Sequence, residues 1–147
     1  MIIDIHTHMD DVVGGGNVLK NEEREKYQKY IADLKAMRKY LDEIEKISEE
    51  ITGDNKAYVC VLDVEPNTKY ENILEYSKED SRILPFISPD FTLSEEDMID
   101  KIKKYGSSSY GMKIHPIIQG VKVDNPLVYK AVEEYLEFER PIIYILE

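Results

Sequence analysis

The sequence has only one cysteine and no long apolar run, and each of these shortages excludes some classes of protein. Cys60 has no second cysteine with which to form an intrachain disulfide, so it is typical of a small buried residue in a reducing compartment. No stretch approaches the roughly 18 apolar residues of a membrane span. The first residues lack the basic start of a signal peptide, and Asp4 interrupts their short apolar run. The composition therefore predicts a soluble cytoplasmic protein.

Basic residues are also scarce, since 19 Lys and Arg stand against 30 Asp and Glu, for a net charge of −11. A negative surface repels phosphate backbones, and no basic cluster offsets it, which argues against nucleic-acid binding. Three glycines at 14–16 lack the Lys-Ser/Thr partner of a phosphate-binding loop. They are more typical of a flexible connector, although a phosphate cradle stays open as an alternative.

What the sequence does contain is an alternation of apolar runs and helical patterns. The continuous apolar run at 57–64 is typical of a parallel strand that is covered on both faces. Such an alternation predicts an α/β fold with a parallel sheet and right-handed crossovers. The predicted strands are 2–6, 57–64, 83–87, 109–115 and 141–146, and the predicted helices are 21–51, 67–78, 94–105 and 126–138.

The first predicted helix is unusually long and has a wide apolar stripe. Residues spaced at three and four along it, such as Leu34, Met37 and Leu41, would suit a coiled coil. Ile31 and Ile47 widen the stripe, which favours a helix that packs on a domain core. Core packing is the preferred interpretation, and a coiled-coil partner is the alternative.

The opening strand ends in two histidines. On a regular strand His6 and His8 would project from one face, together with Asp4, while Ile3 and Ile5 would pack against helices on the other. Two neutral imidazoles in this arrangement can bind one metal ion, and Zn²⁺ is a metal that favours them. The alternative is a pair of partly exposed histidines at a strand end.

The fourth predicted strand ends in a second polar pair, Lys113 and His115. Their spacing predicts that both face inward while Met112 and Ile114 pack outward. A buried ammonium is costly, so Lys113 is predicted either to pair with a carboxylate or to hold the carboxylate of a substrate. His115 is a candidate catalytic or substrate-contacting residue.

Three carboxylates follow the second and third predicted strands. Asp63, Glu65 and Asp90 occupy positions where parallel strands end. They are candidates for catalysis, but carboxylates at loop starts more often cap helices or face water, which is the preferred interpretation.

Two segments resemble a known family. Residues 3–8 (IDIHTH) are similar to the opening of the amidohydrolase superfamily of metal-dependent (β/α)₈ barrels. Residues 111–116 (GMKIHP), followed by 124–126 (DNP) and 141–144 (PIIY), resemble the fourth and fifth strands of its amidohydrolase-related branch of hydrolases and decarboxylases. The resemblance covers most of the chain in layout and is sharp at 1–8 and 111–126.

The resemblance implies a TIM-type barrel with one divalent metal, held by His6, His8, a histidine after strand 5 and an aspartate after strand 8. Ile145 stands where that third histidine is usual. In some members a lysine in the position of Lys113 is carbamylated. The 147 residues are fewer than the roughly 200–250 of a complete barrel. We therefore expect a single domain over 1–147, a partial barrel of about five parallel strands that is the N-terminal part of such a hydrolase.

Three functional hypotheses follow from these patterns. The first is a metal-dependent hydrolase that activates water and cleaves an amide or ester, or decarboxylates a small acid. The second is a non-catalytic remnant or half of a split barrel, with an apolar fifth strand that self-associates or pairs with a complementing chain. The third is an interaction protein built around the long helix.

Overall fold

The computed structural model describes residues 1–7, 22–63 and 69–145, with side chains at 1–5, 29–63 and 69–145. Strands and helices alternate along the whole described chain, as the apolar patterns predict. The elements are β1 (Ile2–Thr7), α1 (Glu22–Thr52), β2 (Ala57–Leu62), α2 (Tyr70–Glu79), β3 (Ile83–Ile87), α3 (Glu95–Gly106), β4 (Gly111–Ile114), α4 (Pro126–Leu136) and β5 (Ile142–Tyr144).

The five strands form one parallel sheet whose order is the order of the chain, β1-β2-β3-β4-β5. β1 pairs with β2 from Ile2 opposite Ala57, and β4 pairs with β5 from Met112 opposite Ile142. The predicted α/β class with five parallel strands is therefore confirmed. In the described part of the chain, β1 and β5 are the two edge strands.

The Cα positions group into two compact units, which are described separately. The first unit comprises Met1–Val61 and Glu71–Leu84. Its core lies between α1, α2 and the faces of β1 and β2 that they cover. The buried side chains of this core are Leu34, Met37, Leu41, Ile44, Ala57, Val59, Val61, Ile73, Tyr76 and Ile83.

The apolar stripe of α1 packs into this core, which confirms the preferred interpretation of the long helix. Leu34, Met37 and Leu41 are buried. Ile31 and Ile47, which were expected to widen the stripe, are about half exposed. Ser48 is fully buried because its hydroxyl donates to the carbonyl oxygens of residues 54 and 56, which lead into β2.

The two faces of β1 are the reverse of the prediction. Ile3 and Ile5 do not pack against helices; they are 43% and 52% exposed. The helix side of the strand carries Ile2, which packs on the core, and Asp4, whose carboxylate accepts a 2.6 Å hydrogen bond from the Tyr40 hydroxyl of α1. Alternation groups residues by face, but it does not tell which face a helix covers.

The second unit comprises Leu62–Tyr70 and Pro85–Glu147. Its two helices begin at residues whose side chains accept hydrogen bonds from the first turn. The Ser94 hydroxyl accepts from the backbone N–H of Asp97, and the side-chain Oδ1 of Asn125 accepts from that of Leu127. Pro126 occupies the first turn of α4, where its missing N–H costs nothing.

Cys60 lies in β2 and is buried, as predicted. None of the described helices is both long enough and apolar enough to cross a membrane.

Candidate functional site at the carboxyl end of β4

Lys113 and His115 lie where β4 ends, in the second unit. Lys113 is the third residue of the strand and is only 2% exposed, and His115 follows the strand and is half-buried. Met112 and Ile114, which alternate with them, are fully buried. That Lys113 and His115 face the opposite side of the strand from Met112 and Ile114 stays a prediction, because Lys113 is buried like its two neighbours.

An aromatic ring lies very close to the backbone just before Lys113. Gly111 pairs with Phe86 across β3 and β4, and a Cβ at Gly111 would overlap the Phe86 ring. Because only glycine leaves room for this ring, the aromatic side chain packs directly against the strand two residues before Lys113. Gly111 thereby contributes to the geometry of the site without supplying any chemical group.

A glutamine joins the end of β4 to the end of β3. Gln119 Oε1 accepts a 2.8 Å hydrogen bond from the backbone N–H of His115, and Gln119 Nε2 donates a 2.7 Å bond to the carbonyl oxygen of Pro89. One side chain thus holds the segments that follow two neighbouring strands. Gln119 could not be recognised from the sequence, since a bond between residues 30 apart has no local pattern.

Asp63, at the end of β2, is neither a cap nor a group that faces water. Its side chain is 1% exposed, and its two oxygens accept 2.6 Å bonds from Lys101 Nζ of α3 and from the backbone N–H of Ser88. Lys101 is itself only 11% exposed. Its role could not be recognised from the sequence either. This geometry explains Asp63 as the group that ties α3 and the end of β3 to the end of β2.

Asp90 begins a loop, as expected, but it stabilises a turn and does not cap a helix. One of its carboxylate oxygens accepts from both the N–H and the hydroxyl of Thr92, which is the geometry of an Asx turn. Glu65 lies outside the described residues.

The predicted metal pair falls largely outside the described part of the chain. The backbone of His6 lies in β1, its side chain is not described, and His8 and the glycines at 14–16 lie outside. The pairing register of β1 shifts between Asp4 and Thr7, so the side on which Asp4 lies does not predict that of His6. Among the described side chains there is no group of three His, Cys, Asp or Glu that could hold a metal ion. Binding of Zn²⁺ by His6 and His8, on the same side of the strand and near Lys113 and His115, stays a prediction.

Ile145, at the position where the resemblance to the amidohydrolase superfamily leads us to expect a third histidine, has a structural role. Ile145 is half-buried, and its backbone N–H donates a 3.0 Å bond to the carbonyl oxygen of Ile114, which extends the pairing of β5 with β4. Its side chain has no group that could ligate a metal.

At the opposite, amino end of β4 there is an open cavity of about 400 Å³. Its lining consists of Ser107, Ser108, Tyr110 and Arg140. Arg140 donates a 2.8 Å bond to the Ser107 carbonyl oxygen, just past the end of α3. A cation at the negative end of a helix is explained by capping, so this cavity is not the preferred site.

Comparison of this chain with protein-family models, with curated proteins and with solved structures finds no match. Fold and site together define an α/β protein with a five-stranded parallel sheet and a lysine–histidine pair at the carboxyl end of its fourth strand.

Proposed function

We propose that this chain is a metal-dependent hydrolase of the amidohydrolase type, whose parallel sheet belongs to a TIM-type barrel. The observation that carries the proposal is the placement of Lys113 and His115, which have equal parity at the carboxyl end of a parallel strand. That end is where α/β barrels place their catalytic groups. The sequence motif 3–8 adds the metal pair, and the single cysteine supports a reaction in the cytoplasm.

His6 and His8 are the residues that would hold the metal, since their imidazoles are spaced two apart on the strand that opens the sheet. A divalent ion such as Zn²⁺ supplies, when bound, a water molecule of lowered pKa. Catalytic zinc sites generally have three protein ligands, so the pair requires at least one further ligand from this chain or a partner.

Lys113 and His115 would act on the substrate. The Lys113 ammonium binds a carboxylate of a small acid, and the apolar strand around it strengthens that attraction by excluding water. The His115 imidazole contacts the reacting amide, ester or carboxyl group and exchanges a proton with it, because a ring nitrogen of imidazole can donate or accept a proton.

The experiment is a zinc titration of the whole purified chain by isothermal calorimetry. His6→Ala and His8→Ala should each weaken zinc binding by about tenfold or more, because each removes a ligand that the other cannot replace. His115→Ala is the matched control, since it removes the third histidine of the chain and should leave zinc affinity unchanged. Equal affinity in all four proteins, or no zinc binding in the unaltered chain, would overturn the proposal.

A second candidate function is one half of a split barrel that pairs with a complementing chain. The observation that favours it is β1, an edge strand with Ile3 and Ile5 exposed. Exposed apolar edge strands are templates for pairing with another strand. Light scattering of the unaltered chain and of Ile3→Lys/Ile5→Lys decides this candidate, since association through β1 should disappear in the variant.

A further inference from the structure

The cavity at the amino end of β4 lies within the second unit and is lined by side chains that can donate hydrogen bonds. Its volume is about 400 Å³, and its lining residues are Ser107, Ser108, Tyr110 and Arg140. Sites for small molecules typically have volumes of about 300–1,000 Å³. The two serines and the tyrosine are exposed, so a ligand can enter from solvent without any rearrangement of the chain.

The bond to the end of α3 uses only part of the Arg140 guanidinium. Nη2 donates to the Ser107 carbonyl oxygen, and within the described part of the chain Arg140 forms no other hydrogen bond and no ion pair. A guanidinium carries N–H donors on all three nitrogens, in a planar arrangement that matches the oxygens of a carboxylate or phosphate. Nε and Nη1 are therefore available to an anion in the cavity.

Arg38 provides a comparison with an arginine whose role is only structural. Its Nη2 donates a 2.7 Å bond to the Glu79 carbonyl oxygen at the end of α2, which is the kind of bond that Arg140 makes at the end of α3. Its Nε also lies 3.4 Å from the Asp80 carboxylate, so a neighbour balances its charge. Arg140 makes the same bond without a carboxylate partner among the described residues, and its charge is left for a ligand.

The local charge also favours an anion. Residues 101–123 contain no Asp or Glu, although the whole chain has 30 of them and a net charge of −11. Lys103 and Lys104 lie in the last turn of α3, where positive charge offsets the negative end of the helix dipole. This edge of the second unit is thus less repulsive to an anion than most of the chain.

The hydroxyl groups favour a phosphoryl group over a carboxylate. The Ser108 hydroxyl is already used, since it donates a 2.8 Å bond to the Tyr105 carbonyl oxygen. The hydroxyls of Ser107 and Tyr110 have no partner in the described part of the chain, so both can donate to a ligand. With Nε and Nη1 of Arg140 they offer more donors than the two oxygens of a carboxylate need, and a phosphoryl group has three strongly accepting oxygens.

We infer that this cavity binds a phosphate monoester, whose phosphoryl oxygens accept hydrogen bonds from Arg140, Ser107 and Tyr110 and whose organic group fills the rest of the space. Inorganic phosphate alone would leave most of the roughly 400 Å³ unfilled. The Tyr110 ring, which is 54% exposed, offers a face on which a ring of the ester can stack. The inference is independent of the proposed function, because it uses neither a metal nor the residues at the carboxyl end of β4.

The test is an NMR titration of the whole chain with phenyl phosphate, inorganic phosphate and benzoate. A chelator is present, so that binding of phosphate to a metal ion is not measured. Phenyl phosphate should bind at least about tenfold more tightly than inorganic phosphate, because its ring leaves water. It should also bind more tightly than benzoate, which has the same ring and fewer acceptor oxygens. The shifted backbone amides should be those of residues 107–110 and 140.

The decisive variant is Arg140→Gln, which removes the charge while its amide can still donate to the Ser107 carbonyl oxygen. The affinity for phenyl phosphate should fall by about tenfold or more. Arg38→Gln is the matched control, since it changes the same kind of arginine at another helix end and should leave the affinity unchanged. Tyr110→Ala should lower the affinity for phenyl phosphate to that for inorganic phosphate.

Chemical-shift dispersion shows whether each variant folds. If Arg140→Gln does not fold, Arg140→Lys replaces it, with a smaller loss expected because an ammonium keeps the charge and loses the planar pair of donors. Three results would overturn the inference: Arg140→Gln binds phenyl phosphate as tightly as Arg38→Gln does, phenyl phosphate binds no better than inorganic phosphate or benzoate, or the shifted amides lie away from the cavity. None of these results bears on zinc binding by His6 and His8, which the calorimetric titration measures separately.

Discussion

The hydroxyl of Tyr40 donates a 2.6 Å hydrogen bond to the carboxylate of Asp4, and this bond joins the middle of α1 to the edge strand β1. It places Asp4 on the helix side of β1. The hydrogen bond to Asp4, burial and the negative charge of Asp4 together raise the pKa of Tyr40 from 10.0 to about 12.

We expect Tyr40→Phe to lower the free energy of unfolding at neutral pH by about 1 kcal/mol, the typical worth of one hydrogen bond. A raised tyrosine pKa stabilises the folded state below pH 10, and this stabilisation is lost as the pH rises toward 12. The difference between the unaltered chain and the variant should therefore be constant up to pH 10 and shrink above it. Urea unfolding at a series of pH values measures this difference.

Tyr129→Phe is the control for that series, because Tyr129 lies on α4 and is 60% exposed. Its removal should change stability little at any pH. A difference between Tyr40→Phe and the unaltered chain that grows above pH 10 would contradict the assignment of the bond.

The buried pair of Asp63 and Lys101 gives a second prediction. Lys101→Met should cost about 3–5 kcal/mol of unfolding free energy, because it leaves a carboxylate buried without its ammonium. The double variant Asp63→Leu/Lys101→Met should recover part of this loss. Lys103→Met, on the same helix, removes a lysine that is 57% exposed and 3.7 Å from Glu134, and it should cost below about 1 kcal/mol. Denaturant unfolding of these variants, of the single variant Asp63→Leu and of the unaltered chain is the measurement. Additive effects of the Asp63 and Lys101 substitutions would show that the pair does not interact.

Gly111 and Phe86 give a third prediction. Gly111→Ala should destabilise the chain by about 1–3 kcal/mol, because the added methyl overlaps a buried ring. In a Phe86→Leu background, where the ring is absent, the same substitution should cost less. A double-mutant cycle by thermal or urea unfolding measures the coupling. Equal costs in both backgrounds would mean that the ring does not occupy this space.

The α/β alternation and the buried stripe of α1 could be predicted because they depend on local periodicity. Leu34, Met37 and Leu41 recur at helical spacing, and the apolar strands between helices allow few other arrangements. The same reasoning could not tell which side of β1 the helix covers. Ile2 and Asp4 alternate with Ile3 and Ile5, and either set could have been the covered one.

Only one part of the candidate site was predicted from the sequence, namely the pair of polar residues at the end of the fourth strand. Lys113 and His115 lie at the end of β4 as expected. Lys101 bonds to a residue 38 positions away and Gln119 to one 30 positions away. Contacts at such separations cannot be predicted from spacing along the chain. The side of β1 on which the His6 side chain lies could not be predicted for another reason. The prediction assumed regular alternation, and β1 is irregular between Asp4 and Thr7.

The order of the strands in the sheet has a consequence for the way the chain is made. Because every strand pairs only with its predecessor and its successor, no strand has to wait for a partner from a distant part of the chain. Each strand emerging from the ribosome meets a docking edge that already exists. The sheet can therefore be assembled in the direction of translation, with one new edge open at each stage.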